Sequence, residues 1–408
     1  MCTKWEIIDK YHEVLDHIQN VNIKSFPGHP EPLFLISNAY PGVWLEHVYD
    51  SVLWAQLCPE MAYVARAAVE LFLDNQKPDG QLPCYVLDES NPSVKGYGSL
   101  VGYGQLQECV AFARLCFEAA QLNHDDRLLA RAYNGCARWV DWLRAHRMTL
   151  GKGLVELFCV YDTGHDNSVR LAGIPGGTPG SDARVCNKNP ELPIFAPDIN
   201  AVFYDTLAAL ADMADALGKP EEAPRWRSEA EQVRAALDAM CYDPETDFYY
   251  DADRNGVQRR CKSISITNLF AAHYFNAADA ARIFRKHLMN PDEFWTKYPF
   301  PSLAANDPLF QKRIDRNDWG YFSMGLTAER SLRWMDFYGF GAELEDEMRA
   351  WLDAVTRSDT PFGQDMDPFT GEFTGGSPWY SATMLFYVAA VRRVVLREPM
   401  YPAPGEAR

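Results

Sequence analysis

Five short segments of this sequence combine carboxyl, amide and aromatic side chains at high density. They span residues 46–51, 161–170, 198–201, 316–321 and 364–372, the last followed by an aromatic turn at 377–381. Carboxylates and amides hydrogen-bond hydroxyl groups, and aromatic rings stack on the C–H faces of sugar rings. This mixture is what a carbohydrate cleft needs. The alternative is that a protein with 13% aromatic residues exposes some of them in any loop.

The segment 161–170 has the highest density of ionisable groups. Asp166 lies near its middle, and a carboxyl group that aromatic walls partly remove from water has the raised pKa that a general acid needs. Arg170 either holds the sugar or pairs with Asp162. The structural alternative for the whole segment is a network of Asx turns in a solvated loop, and the residues alone leave both interpretations open.

The other segments hold carboxylates that also allow two interpretations. Asp50 lies between aromatic residues at the start of a predicted helix, where it either binds hydroxyl groups or caps the helix. Asp198 is a good N-terminal cap for the helix that follows it. Asp367 belongs to an Asp-Pro-x-Thr-Gly turn signal, which leaves Asp365 and Glu372 as the candidate carboxylates of the last segment.

Helices must position these segments, because apolar residues recur with i, i+3, i+4 spacing almost throughout the chain. Strand patterns are limited to residues 153–161 and 247–251. The helical pattern predicts about a dozen helices, at residues 5–17, 48–57, 61–73, 107–119, 128–143, 202–217, 225–240, 264–273, 278–288, 323–338, 344–355 and 381–395.

Long loops rich in aromatic residues, Pro and Gly separate the predicted helices, at residues 24–44, 76–104, 161–197, 289–320 and 357–380. No Gly/Ser-rich or Pro-rich linker divides the chain, and no fixed-period repeat supports the competing helical solenoid. We therefore expect one all-α domain over residues 1–408. Six helix pairs would form an (α/α)6 toroid, with the active site where the long loops converge.

The charge balance limits the classes of partner. The chain has 39 Lys and Arg residues against 56 Asp and Glu residues, a net charge of −17, which repels phosphate backbones and anionic lipid. No apolar run reaches the roughly 18–20 residues of a membrane span, and the N-terminus lacks the pattern of a signal peptide. We expect a cytoplasmic protein that binds neither nucleic acid nor membranes.

The ten cysteines include no Cys-x-x-Cys pair, so the sequence predicts neither a disulfide framework nor a structural zinc site. It also contains no phosphate-binding Gly-rich loop and no His-Glu-x-x-His motif. We expect no metal and no cofactor. The expected partner is a small carbohydrate, and a homo-oligomer stays open.

Taken in order, the segments resemble those of the inverting (α/α)6-barrel glycosidases in the clan of trehalase and glycoside hydrolase family 63. The likeness is greatest to the compact glucosylglycerate and mannosylglycerate hydrolases, and it runs from about residue 38 to 395. The matching motifs are Tyr49-Asp50-Ser51, the turn at 76–83, the acid loop at 163–170, Asp198-Ile199-Asn200 and the Asp-Pro-x-Thr-Gly turn at 367–371.

The resemblance implies hydrolysis, with inversion, of a small α-linked glucoside or mannoside whose terminal sugar is released, and it makes Asp166 the general acid. The family's glutamate base corresponds to Gln364, and a neutral amide cannot take a proton from water. Three explanations stay open: a deliberate Glu-to-Gln change, transfer of the role to Asp365, or loss of hydrolysis. The residues that we expect to bind substrate are Trp44, Tyr49, Asp50, Gln105, Arg170, Asp318, Trp319 and Trp379.

Two departures from the family pattern predict a different substrate pocket. Tyr49 replaces the usual tryptophan, and the family's Tyr-Trp-Arg-Gly segment reads Asn-Asp-Trp-Gly at 317–320. Two other functions remain as alternatives. Sugar 2-epimerases and aldose–ketose isomerases are (α/α)6 barrels of similar length, in which His47, His165 and His273 would transfer protons. A sugar-binding homologue without catalysis is the second alternative, and it rests on Gln364.

Overall fold

Helices dominate the computed structural model, which describes residues 2–37, 40–107 and 109–402. They account for 48% of the chain and strands for 8%, so the predicted all-α class is confirmed. The α-helices within the described residues are α1 (Lys4–His17), α2 (Val48–Leu57), α3 (Tyr63–Asp74), α4 (Phe112–Leu122), α5 (Asp126–His146), α6 (Pro197–Ala216), α7 (Ala223–Cys241), α8 (Thr267–Ala271), α9 (Ala277–Ile283), α10 (Gly325–Ser331), α11 (Gly341–Arg357) and α12 (Ser381–Ala390).

The strands are two or three residues long and pair antiparallel within the loops. Met324 pairs with Asp365 in one of them, which fixes two late loops of the chain to each other. The sheets are β1 (Ile23–Lys24) with β2 (Leu33–Phe34), β3 (Gly42–Trp44) with β4 (Tyr85–Leu87) and β5 (Val101–Gly102), β6 (Tyr242–Asp243) with β7 (Phe248–Tyr249), β8 (Asp251–Ala252) with β9 (Gln258–Arg259), and β10 (Ser323–Met324) with β11 (Asp365–Met366).

Alternate helices form a closed inner ring. Helix α2 contacts α4, α4 contacts α6, α6 contacts α8, α8 contacts α10, α10 contacts α12, and α12 returns to α2. Other helices lie outside this ring, with α3 against α2, α5 against α4, α7 against α6, and both α1 and α11 against α12. The double ring is an (α/α)6 toroid, as the helix count and the loops predict.

The inner helices are largely buried because neighbours on both flanks and an outer helix exclude water. All residues of α10 and α12 are buried, and so are nine of the ten residues of α2. Outer helices such as α5 and α11 bury one apolar stripe and expose a charged face. Polar residues on the inner helices therefore lie in the interior. None of the described helices has both the length and the apolar composition of a bilayer span.

Several predicted elements have different bounds in the structure. The helix predicted at 107–119 begins only at Phe112, and Gln107 has a left-handed backbone with φ of 56°. The helix predicted at 323–338 is reduced to α10, because Ser323 and Met324 pair with β11 instead. Residues 153–161 form no strand and make a single β-bridge, between Leu157 and Ile194. The strand pattern predicted at 247–251 is confirmed by β7 and β8.

A buried ion pair fastens the loop that follows α5. Arg147 and Asp162 are both fully buried, and two hydrogen bonds of 2.7 and 3.0 Å join the guanidinium to the carboxylate. Arg147 also donates to the carbonyl oxygens of Glu156 and Ala183, and Asp162 accepts from the backbone N–H of Leu106. The pair thus joins three separate stretches of chain. The predicted pairing of Asp162 with Arg170 is wrong, because Arg147 occupies that carboxylate.

Asp162→Ala should destabilise the protein strongly, because it leaves the Arg147 guanidinium buried without a counter-charge. Removing one partner of a buried ion pair costs about 3–5 kcal/mol of unfolding free energy. Urea unfolding measures the loss. The control is Asp141→Ala, which breaks an exposed pair with Arg144 on α5 and should cost less than about 1 kcal/mol. Equal losses in the two variants would contradict the role of the buried pair.

Candidate active site

The loops that precede the inner helices line two adjoining cavities. The inner cavity has a volume of about 370 Å³ and the outer cavity about 870 Å³, within the range of small-molecule sites. Both cavities are lined by Tyr40, Tyr97, Asp166, Asn317 and Gln364. The inner cavity is further lined by Trp44, Glu46, His47, Tyr85, Gln105, Gln107, Tyr161, Gly164, Leu326 and Tyr380.

Asp166 lies half-buried on the shared wall, at the end of a tight turn. Gly164 makes this turn with φ of 67°, and a Cβ atom there would lie 2.2 Å from Cys109 Sγ, so glycine is required. Burial and the nearby charge of Glu46 raise the pKa of Asp166 to about 7, although a hydrogen bond from Asn317 acts to lower it. The carboxyl group is therefore about half protonated at neutral pH.

Gln364 and Asp365 are consecutive, but they face different surroundings. The Gln364 side chain lies in the cavity, where its Oε1 accepts a hydrogen bond of 3.1 Å from the Tyr40 hydroxyl. Asp365 lies behind the wall and accepts from Asn317 N–H at 2.8 Å and from Thr374 Oγ1 at 3.1 Å. Burial raises the pKa of Asp365 to about 6. Gln364 lines both cavities, whereas Asp365 lines neither.

The side chain of Asn317 bridges the two walls. Its Nδ2 donates to Asp166 Oδ2 at 3.0 Å, and its Oδ1 accepts from Gln364 Nε2 at 3.4 Å. The O and N atoms of an amide are about 2.3 Å apart, so Asp166 Oδ2 lies within about 9 Å of Gln364 Nε2. Inverting glycosidases separate their two carboxyl groups by about 6.5–9.5 Å to admit a water molecule. The bridge is compatible with that spacing.

A second carboxylate, Glu46, forms part of the inner cavity wall. Its Oε2 pairs with Arg330 Nη2 at 2.9 Å, and its Oε1 accepts from Gln107 Nε2 at 2.9 Å. Burial acts to raise the pKa of Glu46, but His47 and Arg330 outweigh it and hold that pKa below its usual value. Glu46 is therefore ionised at neutral pH, at which Asp166 is still partly protonated.

Four of the predicted site residues line the cavities: Trp44, Gln105, Asp166 and Gln364. Trp44 belongs to an aromatic cluster, with ring centres 5.8 Å from Tyr85 and 6.1 Å from Tyr97. These rings form an apolar wall beside the carboxyl groups.

The structure places Tyr49 and Asp50 beneath the cavities, inside the inner ring. The Asp50 carboxylate accepts from the Ser381 hydroxyl, and the Tyr49 hydroxyl donates to the Glu329 carbonyl oxygen at 3.2 Å. Both residues are buried and line neither cavity. Helix α2 belongs to the closed ring, so the side chains along it face other helices. Direct contact between these two residues and a substrate is therefore not supported.

The other predicted binding residues support the wall from behind. Arg170 pairs with Asp198 and Asp251, all three buried, and Asp318 accepts backbone N–H groups of Arg313 and Gly320. Neither Arg170 nor Asp318 lines a cavity.

The two remaining predicted tryptophans also stay outside the cavities. Trp319 stacks on His165 with ring centres 3.9 Å apart and donates to Asn317 Oδ1 at 3.0 Å, so it fixes the bridging amide. Trp379 stacks on His17 with ring centres 3.8 Å apart.

The three histidines of the isomerase alternative do not meet. His47 lines the inner cavity, where its Nε2 lies 3.2 Å from the Tyr380 hydroxyl. His165 is buried behind the wall, and His273 is exposed and stacks on Phe337. No shared histidine site for proton transfer results.

The predicted site residues omitted several cavity residues, namely Tyr40, Glu46, His47, Gln107, Asn317 and Tyr380. Glu46, His47, Asn317 and Tyr380 belong to the polar segments of the sequence, so the segments were a valid signal. The residue types did not show which side chains face the cavity.

A sequence model of the mannosylglycerate hydrolase MGH1-like glycoside hydrolase domain matches residues 54–383. The chain belongs to this family. It is a glycoside hydrolase related to those of family 63, as the motif resemblance predicts.

Solved structures of several glycosidases share the fold. The family 63 mannosylglycerate hydrolase from Thermus thermophilus, in complex with glucose, is 18% identical with a TM-score of 0.70, over 93% of this chain and 99% of that one. The neutral trehalase from Saccharomyces cerevisiae is 14% identical with a TM-score of 0.65, over 92% of this chain and 79% of that one. A rhamnosidase from Klebsiella oxytoca is 14% identical with a TM-score of 0.60, over 96% of this chain and 64% of that one.

Asn317→Gly should shift the pH dependence of this MGH1-like enzyme. Asp166, the predicted general acid, would act in its protonated form, so we expect kcat/KM to fall as the pH rises through about 7. Asn317 donates to the ionised form of Asp166, so its removal raises the pKa of Asp166 and moves this decline to higher pH. Glycine accepts the φ of 49° at residue 317. A pH profile of kcat/KM measures the shift.

The matched control is Asn167→Gly. Asn167 also has a left-handed backbone, with φ of 56°, and its Nδ2 donates to the Asn317 carbonyl oxygen rather than to the Asp166 carboxyl. Its pH profile should decline at the wild-type position. A decline at lower pH in Asn317→Gly would contradict the assigned hydrogen bond.

Proposed function

We propose that this enzyme releases the terminal sugar of a small α-linked glucoside or mannoside with inversion at the anomeric carbon, and that Asp166 is its general acid. The observation that supports this proposal is the position of Asp166. Its carboxyl group has a pKa raised to about 7 and lies on a cavity wall within about 9 Å of Gln364, to which Asn317 links it.

The electrostatic surroundings of Asp166 suit a proton donor. A general acid works best when its pKa lies near the working pH, because it is then protonated yet still transfers its proton readily. Burial and the Glu46 charge supply this shift, while the Asn317 amide limits it. The Asp166 carboxyl group would donate to the aglycone oxygen as the glycosidic bond breaks.

The shape of the inner cavity supports a small substrate. Its volume of about 370 Å³ is near the lower end of the roughly 300–1,000 Å³ of small-molecule pockets. Aromatic rings of Trp44, Tyr85 and Tyr97 line one side, and the amides of Gln105 and Gln107 lie among the polar lining groups. This arrangement offers stacking surfaces and hydroxyl partners to one terminal sugar.

The position of the base is the remaining question for the reaction. Residue 364 faces the cavity at the family's base position, but its amide cannot accept a proton from water. The Asp365 carboxylate lies behind the wall and is hydrogen-bonded to Asn317 and Thr374. Asp365 is therefore a less favoured position for the base than residue 364.

Asp166→Asn should lower kcat on an unactivated α-glycoside by about two to four orders of magnitude. Substrates with acidic phenol leaving groups need less protonation, so their loss should be much smaller. Steady-state assays on both substrate types measure the difference. The exposed Asp141→Ala variant serves as the control and should retain activity. Full activity of Asp166→Asn on the unactivated substrate would contradict the assignment.

The product formed first should have the β configuration when the substrate is an α-glycoside. Proton NMR of the fresh reaction mixture distinguishes it from the α product before mutarotation mixes them. A panel of α-glucosides and α-mannosides, including the glycerate forms, identifies the substrate. A retained α configuration, or strong preference for long polysaccharides, would contradict the proposed reaction.

A further inference from the structure

Inverting hydrolysis needs an ionised carboxylate that takes a proton from water, and residue 364 does not supply one. Among the described residues, the carboxyl groups lining the inner cavity are those of Asp166 and Glu46. The outer cavity adds Asp315, whose side chain is 93% exposed and carries no desolvating surroundings. The wall of the inner cavity therefore offers one further carboxylate besides the acid.

We propose that Glu46 is the general base of this enzyme, in place of residue 364. The proposal rests on the function proposed above, with Asp166 as the acid. Glu46 lies in the turn at Leu45–His47 between β3 and α2, so a strand and an inner helix hold it from both sides. Only 5% of its surface is exposed, and both oxygens of its carboxylate are hydrogen-bonded.

The contacts of Glu46 keep it charged and oriented. Arg330 on the inner helix α10 pairs with Oε2 at 2.9 Å, and Gln107 Nε2 donates to Oε1 at 2.9 Å. Gln105 in turn donates to Gln107 Oε1 at 2.7 Å. Each carboxylate oxygen has more than one lone pair, so both retain acceptor capacity for a water molecule in the cavity.

The two cavity carboxyl groups titrate in opposite directions. The pKa of Glu46 is lowered by His47 and Arg330 despite burial, whereas the pKa of Asp166 is raised to about 7 by burial and by Glu46 itself. Surroundings that push two pKa values apart are those that separate a base from an acid in one site. At neutral pH the inner cavity thus holds one ionised carboxyl group and one that is about half protonated.

In the proposed step, a water oxygen attacks the anomeric carbon from the face opposite the aglycone, and one water proton passes to Glu46. The bond from the anomeric carbon to the aglycone oxygen breaks, and its electron pair stays on that oxygen. Asp166 transfers its proton to the same oxygen. The products are the inverted sugar and the aglycone alcohol, and exchange with solvent returns Glu46 and Asp166 to their starting protonation states.

The experiment compares Glu46→Ala with wild type on an α-glycosyl fluoride, whose leaving group needs little protonation. We expect kcat to fall by about two to four orders of magnitude. Sodium azide is an anion that attacks without a base, so it should restore turnover in Glu46→Ala and yield the β-glycosyl azide. Loss without azide rescue, or undiminished turnover, would overturn the proposal.

A matched control is Glu329→Gln on α10, next to Arg330. Glu329 is fully buried, lines neither cavity, and burial and the nearby Asp50 raise its pKa well above the usual value, so glutamine replaces a protonated carboxyl group of equal size. This variant should keep its activity and show no azide effect. Azide products from Glu329→Gln would overturn the assignment to Glu46.

If loss of the ion pair prevents folding of Glu46→Ala, Glu46→Asp tests the role of Glu46 as the base. Aspartate keeps the charge beside Arg330 but withdraws the carboxylate by one methylene, and misplacement by about 1 Å costs up to about 10²-fold in rate. We expect a fall in kcat with little change in KM and in Tm. An unchanged kcat would overturn the proposal.

Two further variants separate this inference from the proposed function. Asp166→Asn tests the acid alone, so full activity there would contradict the hydrolytic scheme whatever Glu46 does. Gln364→Glu tests the competing base position. If Asp166→Asn is inactive and Gln364→Glu raises turnover by orders of magnitude, the function stands and the base lies at residue 364 rather than at Glu46.

Discussion

Two buried arginines determine where the acid loop lies, and the rest of the site depends on them. Arg147 holds the start of the loop through Asp162, and Arg170, at its end, pairs with Asp198 at the beginning of α6 and with Asp251 in β8. Asp166 lies between these two anchors. The position of its half-buried carboxyl group therefore depends on ion pairs that are shielded from solvent. Desolvated ion pairs are costly to disrupt once formed, so they hold the loop in one position.

The electrostatics of the cavity follow from this rigid frame. Glu46 is paired with Arg330 and stays charged, so it acts on Asp166 as a fixed negative charge in a poorly solvated space. Asn317 moderates the effect, because its amide donates to Asp166 while its Oδ1 accepts from Trp319 and Gln364. One amide thus connects both walls, and its orientation is fixed by the contacts of its two ends.

The sequence predicted the fold and the acid loop better than the detail of the site. Outer helices such as α5 and α11 bury one apolar stripe and expose a charged face, which gives a strong periodic signal, and the acid loop carries a dense motif. The sequence did not show which polar side chains are buried inside the ring. Asp50 is a residue type that binds sugar hydroxyl groups, yet its place on α2 directs it toward Ser381. The alternative in which Arg170 pairs with Asp162 is wrong. Arg170 pairs with Asp198 and Asp251, and Asp251 is 81 residues away in the chain, so spacing gives no sign of it. Asn317 acquires its role only when strands β10 and β11 bring distant loops together.

The closure of the ring between α12 and α2 has a consequence for how the enzyme comes into being. Tyr40 and Glu46 precede the first inner helix, whereas Gln364 and Tyr380 precede the last, and all four line one cavity. A growing chain on the ribosome therefore carries its acid loop long before it has a binding site. Contacts between such distant parts of a chain form late and slowly. The cavity is complete only when the last inner helix docks against the first.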